Sequence, residues 1–110
     1  MLNPEKEEGN IEYKRLIGNN TNRFQSLASQ MNWRLIEGQG TCYYYIGIED
    51  NGTISKLNKK SLYTSLKNLK KITDIINSKI KRVDKLFYNS YEYLIVEIKK
   101  NFNSNFLFLF

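Results

Sequence analysis

Apolar residues recur along this chain in two helical stripes separated by alternating runs. Phe24, Leu27, Ala28, Met31 and Leu35 fall at helical spacing and form one face. Thr21 is placed to cap the start of that helix, and Gly38 and Gly40 are placed to end it in the left-handed conformation. Met31 is expected to be fully buried, and Trp33, off the centre of the stripe, partly buried against a sheet. Cys42 to Ile48 is aromatic and β-branched, with Cys42, Tyr44, Ile46 and Ile48 on one face and Tyr43 and Tyr45 on the other. Asp50-Asn51-Gly52 signals a turn, with positive φ accessible at both Asn51 and Gly52. A short returning strand, Thr53 to Lys56, should pair beyond it.

Leu62, Leu66, Leu69, Thr73, Ile76 and Ile80 form a second, narrower helical stripe. Lys60, Lys67, Lys71 and Arg82 fall on roughly the opposite face. Asp84 to Tyr88 and Tyr91 to Lys99 read as two strands joined by a tight turn at Asn89-Ser90. Ile11 to Ile17 reads as a short strand or extended lead-in. The order helix, hairpin, helix, hairpin predicts a single α+β domain, an antiparallel-rich sheet packed on two helices. Residues 1–10 are expected to be a loose polar lead and 11–100 the domain. Residues 101–110, ending Phe106-Leu107-Phe108-Leu109-Phe110, are expected to be an apolar strand or the start of a further, missing domain.

The chain has 110 residues, room for one modest core. It has no histidine and one cysteine, Cys42. That excludes the usual Cys/His zinc site, a Ser-His-Asp or Cys-His apparatus, and an internal disulfide. The N-terminus lacks the basic start and apolar core of a signal peptide, and no apolar run approaches membrane length, so a cytoplasmic location is expected. The net charge is +6, unevenly spread. From Lys56 to Arg82 there are nine basic residues against Asp74, whereas Glu5, Glu7, Glu8 and Glu12 face only Lys6 in the first twelve positions. A basic middle of this kind suits a polyanion.

Each motif has a plainer alternative. Lysines on a helix contact RNA phosphates in some proteins and are a solvated face in most, and arginine, with its bidentate geometry, is scarce here. Tyr43 and Tyr45 could stack bases, although such tyrosines more often pack under a helix. Glu7 or Glu8, with Glu12 and Asp50, could converge as hard-oxygen ligands for Mg²⁺ or Mn²⁺ if the lead-in strand lies beside the 42–48 strand. The alternative is that Asp50 serves its turn. Neither G-x-x-x-x-G-K-[ST] nor G-x-G-x-x-G occurs, so no cofactor is expected in this chain and GTP should not bind it.

EGNIEYKRLI (Glu8–Ile17), RFQSLASQMNWRLIEGQG (Arg23–Gly40) and YYYIGIEDNGTISKL (Tyr43–Leu57) resemble the N-terminal domain of the GTP-binding protein 1/2 family, elongation factor Tu-like translational GTPases. Thr41-Cys42 and Lys56 depart from the family pattern. The resemblance implies a chain truncated before the GTPase domain. GTP and magnesium then belong to that missing domain, expected C-terminal to this chain, and no GTP-contacting residue carries over. A weaker similarity, Glu7 to Lys14 with Ile46-Gly47-Ile48-Glu49-Asp50-Asn51-Gly52, is to the divergent AlbA domain of Schlafen-like proteins. It implies Glu7, Glu12 and Asp50 as ligands of a metal-dependent ribonuclease. The expected function is therefore a non-catalytic accessory domain acting in translation or RNA surveillance, with RNA or the ribosome as partner and Lys60, Lys67, Lys71 and Arg82 as its contacts. The alternative is an AlbA-like RNA-binding domain or ribonuclease.

Overall fold

Alternation along TCYYYI dictates a strand, and the computed structural model, which describes residues 1–101, places it at the centre of the domain. Strand β1 (Ile11–Lys14) is followed by helix α1 (Phe24–Glu37), strand β2 (Thr41–Ile46), helix α2 (Lys59–Ile75) and the hairpin of β3 (Ser78–Tyr88) and β4 (Tyr91–Lys100). The sheet order is β1-β2-β4-β3. β1 runs parallel to β2, and the other two pairings are antiparallel.

Both helices cover the same face of the sheet. Phe24, Ala28, Met31 and Leu35 of α1 and Leu62, Leu69 and Ile72 of α2 meet Cys42, Tyr44 and Ile46 of β2 and Leu94, Val96 and Ile98 of β4. Met31 is fully buried. Trp33 is not packed on the sheet as the sequence predicts. It is 55% exposed, because the position lies too far round α1 from the stripe. The opposite face carries a smaller cluster around Tyr13, Ile48 and Tyr93, with Tyr45 and Ile95 packed against it. Among the described residues no helix covers that side.

Five local expectations are corrected. Asn20, not Thr21, caps the chain before α1: its side chain accepts from the amide of Asn22 at the start of a 3₁₀ turn, Thr21–Arg23. Gly38 is needed for closeness rather than for handedness. Its φ is −98°, but a Cβ there would lie 1.8 Å from the Thr41 carbonyl oxygen, while Gln39 and Gly40 take the positive φ. The first hairpin shrinks to one bridge, Ile48 to Ile54, and only Gly52 of its turn has positive φ. Asn51 instead accepts from the amide and hydroxyl of Thr53. α2, capped by Asn58 at the Ser61 amide, stops at Ile75, not beyond Ile80. Asn77 turns left-handed and β3 begins at Ser78. Finally, the lead is not loose, since the amides of Leu2 and Glu5 donate to the carbonyls of Gly52 and Asp50 at 3.0 and 2.7 Å. The apolar run at Phe106–Phe110 lies outside the described residues.

Candidate functional site

Pairing of Glu12 with Tyr44 in the β1–β2 register puts the Glu12 side chain on the helix-covered side of the sheet. There it is buried, and the Arg34 guanidinium of α1 closes over it. Arg34 Nε donates to Glu12 Oε1 at 2.8 Å, Nη1 to the Gly9 carbonyl at 2.9 Å and Nη2 to the Lys6 carbonyl at 2.8 Å. Glu5 joins this cluster: its Oε2 lies 3.9 Å from Arg34 Nη2 and accepts from the Tyr13 amide. Burial, above all, pushes the Glu5 carboxyl up to about 7, with the charges of Glu12 and Asp50 acting in the same direction.

The three carboxylates named from the sequence meet different surroundings. Glu7 is exposed on the lead, Asp50 is exposed at the turn, and Glu12 is committed to Arg34. Among the described residues no group of three His, Cys, Asp or Glu side chains is placed to hold a metal ion. Arg34 and Glu5 went unread in the sequence. A signal for Arg34 was present: it sits beside Leu35 and three residues after Met31, inside the buried stripe. Cys42 is buried in the core, and burial pushes its thiol up to about 12. The neighbouring Tyr44 hydroxyl is buried and has no hydrogen-bond partner among the described residues.

Exposed cations form the remaining chemistry. Lys60, Lys67 and Lys71 stand together in solvent on α2, on the side away from Leu62, Leu69 and Ile72. Arg82 does not belong to that surface. It lies in β3, opposite Glu97 in the register and therefore on the sheet face that no helix covers, where its Nε is 3.0 Å from Asp84 Oδ1. The reason is the early end of α2, which converts the residues after Asn77 from helical to strand spacing. Tyr43 and Tyr45 are half-buried on that same open face, and the Tyr45 ring lies 5.3 Å from that of Tyr13.

Three other cations gather where β1 ends and α1 begins. Lys14, Arg15 and Arg23 border a groove of about 410 Å³ whose walls include Leu16, Ile17 and Leu27 and, among the described residues, no acid. The loop behind it is fastened to α2. The Ile17 amide donates to Ser65 Oγ at 2.8 Å, and Asn68 Nδ2 donates to the carbonyls of Ile17 and Gly18 at 3.0 and 2.9 Å.

Among the described residues no helix is long and apolar enough to cross a membrane. No protein-family model matches the chain. The sequence is 44% identical over 80 residues, 72% of the chain, to GTP-binding protein 2 of Mus musculus and of Homo sapiens. It is 38% identical over 78 residues, 69% of the chain, to an uncharacterized protein of Acanthamoeba polyphaga mimivirus. The chain spans 13% of the length of GTP-binding protein 2 and 42% of the mimivirus protein. These matches make the chain a relative of GTP-binding protein 2 and support the GTP-binding protein family as its kin.

Proposed function

We propose that this chain is a non-catalytic accessory domain of an elongation-factor-like GTP-binding protein, and that it meets RNA in translation or RNA surveillance. The observation that carries the reading is the lysine face of α2. Lys60, Lys67 and Lys71 are exposed together, and none has an acidic partner among the described residues. Such a face neutralises backbone phosphates without reading sequence, which suits a module that positions RNA for another domain. The kinship with GTP-binding protein 2 supplies the setting. The residues themselves contain no G-x-x-x-x-G-K-[ST] loop to cradle a nucleotide. In this reading GTP and magnesium belong to a separate GTPase domain, to which this one is an accessory.

A nuclease role receives no support from the geometry, because the carboxylate best placed by sequence, Glu12, is sealed beneath Arg34. The test is fluorescence anisotropy with labelled single-stranded RNAs of unrelated sequence at low salt. Binding that is similar among sequences and falls steeply with salt is expected. Absence of binding at low salt would refute the RNA reading.

A further inference from the structure

The groove bordered by Lys14, Arg15 and Arg23 belongs to the segment between β1 and α1, and residues 17–19 of that segment are hydrogen-bonded to α2, the helix that carries the lysines. We propose that this groove is a phosphate-binding site, and that an RNA backbone continues into it from the lysines of α2. The second half of this inference rests on the RNA reading above.

Charge balance is the first argument. Glu12 Oε2 lies 3.5 Å from Lys14 Nζ, which by itself would cancel that lysine. Glu12 is shared between Lys14 and Arg34, and Glu5 lies 3.9 Å from Arg34, so the anion-binding charge of the groove falls mainly to Arg15 and Arg23. Among the described residues Arg15 makes one ion pair, its Nε 3.7 Å from Glu49 Oε2. The guanidinium has five N–H donors, and the remaining ones stay available to an anion. Arg23 is exposed and has no acidic partner among the described residues.

Shape is the second argument. Leu16, Ile17 and Leu27 give the groove apolar lining, and its volume of about 410 Å³ falls within the range of small-ligand pockets. Cations at the rim and hydrocarbon at the base suit a nucleotide unit, whose phosphate meets charge while its sugar or base covers the apolar wall.

Continuity is the third argument. The 17–19 segment, which forms the lip of the groove, is fixed to α2 by Asn68 and Ser65. Lys71 lies three residues after Asn68, so it stands next to that anchor on the helix surface. The loop carries no acid between Arg15 and Arg23. In this proposal a polyanion held by the α2 lysines passes over residues 16–22, which carry no acid, to reach Arg15 and Arg23.

The experiment uses amide NMR spectra of the chain. Inorganic pyrophosphate, and then a short single-stranded RNA, are titrated into the wild type and into the double variant Arg15→Gln/Arg23→Gln. Both side chains are exposed, and an otherwise unchanged spectrum verifies that the variant folds. Pyrophosphate is expected to shift the amides of residues 15–23 in the wild type and to lose this effect in the variant. The RNA should bind the variant more weakly, with a slope of log affinity against log salt shallower by about 1.4, at roughly 0.7 per phosphate contact. Pyrophosphate shifts scattered over the surface would overturn the site. RNA affinity that responds to changes at Lys60, Lys67 and Lys71 but not at Arg15 and Arg23 would overturn the continuation and leave the RNA reading intact. Shifts at 15–23 with no RNA binding by the wild type would uphold the phosphate site and overturn its link to RNA.

Discussion

Arg34 is 4% exposed and donates to Glu12 and to the carbonyls of Lys6 and Gly9, so its charge is used up inside the domain. Lys60, Lys67 and Lys71 carry the same charge into solvent, and none has an acidic partner among the described residues. The first region uses charge to specify structure. Arg34 ties the lead, β1 and α1 together through contacts 22 to 28 residues apart in sequence. The second region uses charge in a way that leaves the fold indifferent and a partner free to take it. The contrast teaches which acids and bases to set aside when searching for function. Glu12 and Arg34 are the most enclosed charges among the described residues, Glu5 joins them, and their contacts hold the lead, β1 and α1 together.

The largest effect should come from breaking the enclosed region. Arg34→Ala leaves Glu12 buried without its main counter-charge and frees two carbonyls of the lead. It should cost about 3–5 kcal/mol in urea unfolding. A loss below about 1 kcal/mol would mean that the cluster is hydrated and that the two regions do not differ as described.

Glu5 offers a second way to probe the same region. Its carboxyl is raised from 4.5 to about 7. Between those values the folded chain holds a proton that the unfolded chain has released. The stability it contributes is therefore complete below pH 4.5 and is lost as pH rises through 7. Urea midpoints measured across this window should fall with rising pH in the wild type relative to Glu5→Gln. A wild type that gains on the variant as pH rises would reverse the assigned sign.

Tyr44 sharpens the comparison by a smaller amount. Its hydroxyl is buried with no partner among the described residues, and burial raises its pKa further above the ordinary value. Tyr44→Phe removes an unsatisfied polar group at nearly unchanged volume and should stabilise the domain by about 1 kcal/mol. A loss of similar size would show that the hydroxyl is satisfied, for instance by a bound water.

The legible part of the fold was the part with one period and one solution. The alternation of Cys42, Tyr44 and Ile46 gave the central strand, and Asn89-Ser90, both with positive φ, gave the hairpin turn. The end of α2 was not legible because Ile76 and Ile80 pack on the same core in either geometry. On a helix they extend the stripe, and Ile80 on β3 faces Ile98 across the sheet instead. That ambiguity is what carried Arg82 onto the wrong surface. Glu5 was missed for a different reason, since the parallel pairing of β1 with β2 brings distant segments together and leaves no local pattern, whereas Arg34 carried a signal in its place within the buried stripe of α1. The groove cations were likewise scattered, with Lys14 and Arg23 joined only when the chain between them folds back on α2. The lysine face, in contrast, lies within one helix, and its spacing was sufficient.

The smallest effect on stability should accompany the largest effect on binding. Replacing Lys60, Lys67 and Lys71 together with Gln should change unfolding by no more than about 0.5 kcal/mol per site, as for ordinary surface positions. The direct measurement of the central claim is the salt dependence of RNA affinity for this triple variant beside the wild type. The account predicts similarly weakened binding for unrelated sequences and a slope of log affinity against log salt shallower by about 2, at roughly 0.7 per lost contact. An unchanged slope would contradict it and leave these lysines as a solvated face.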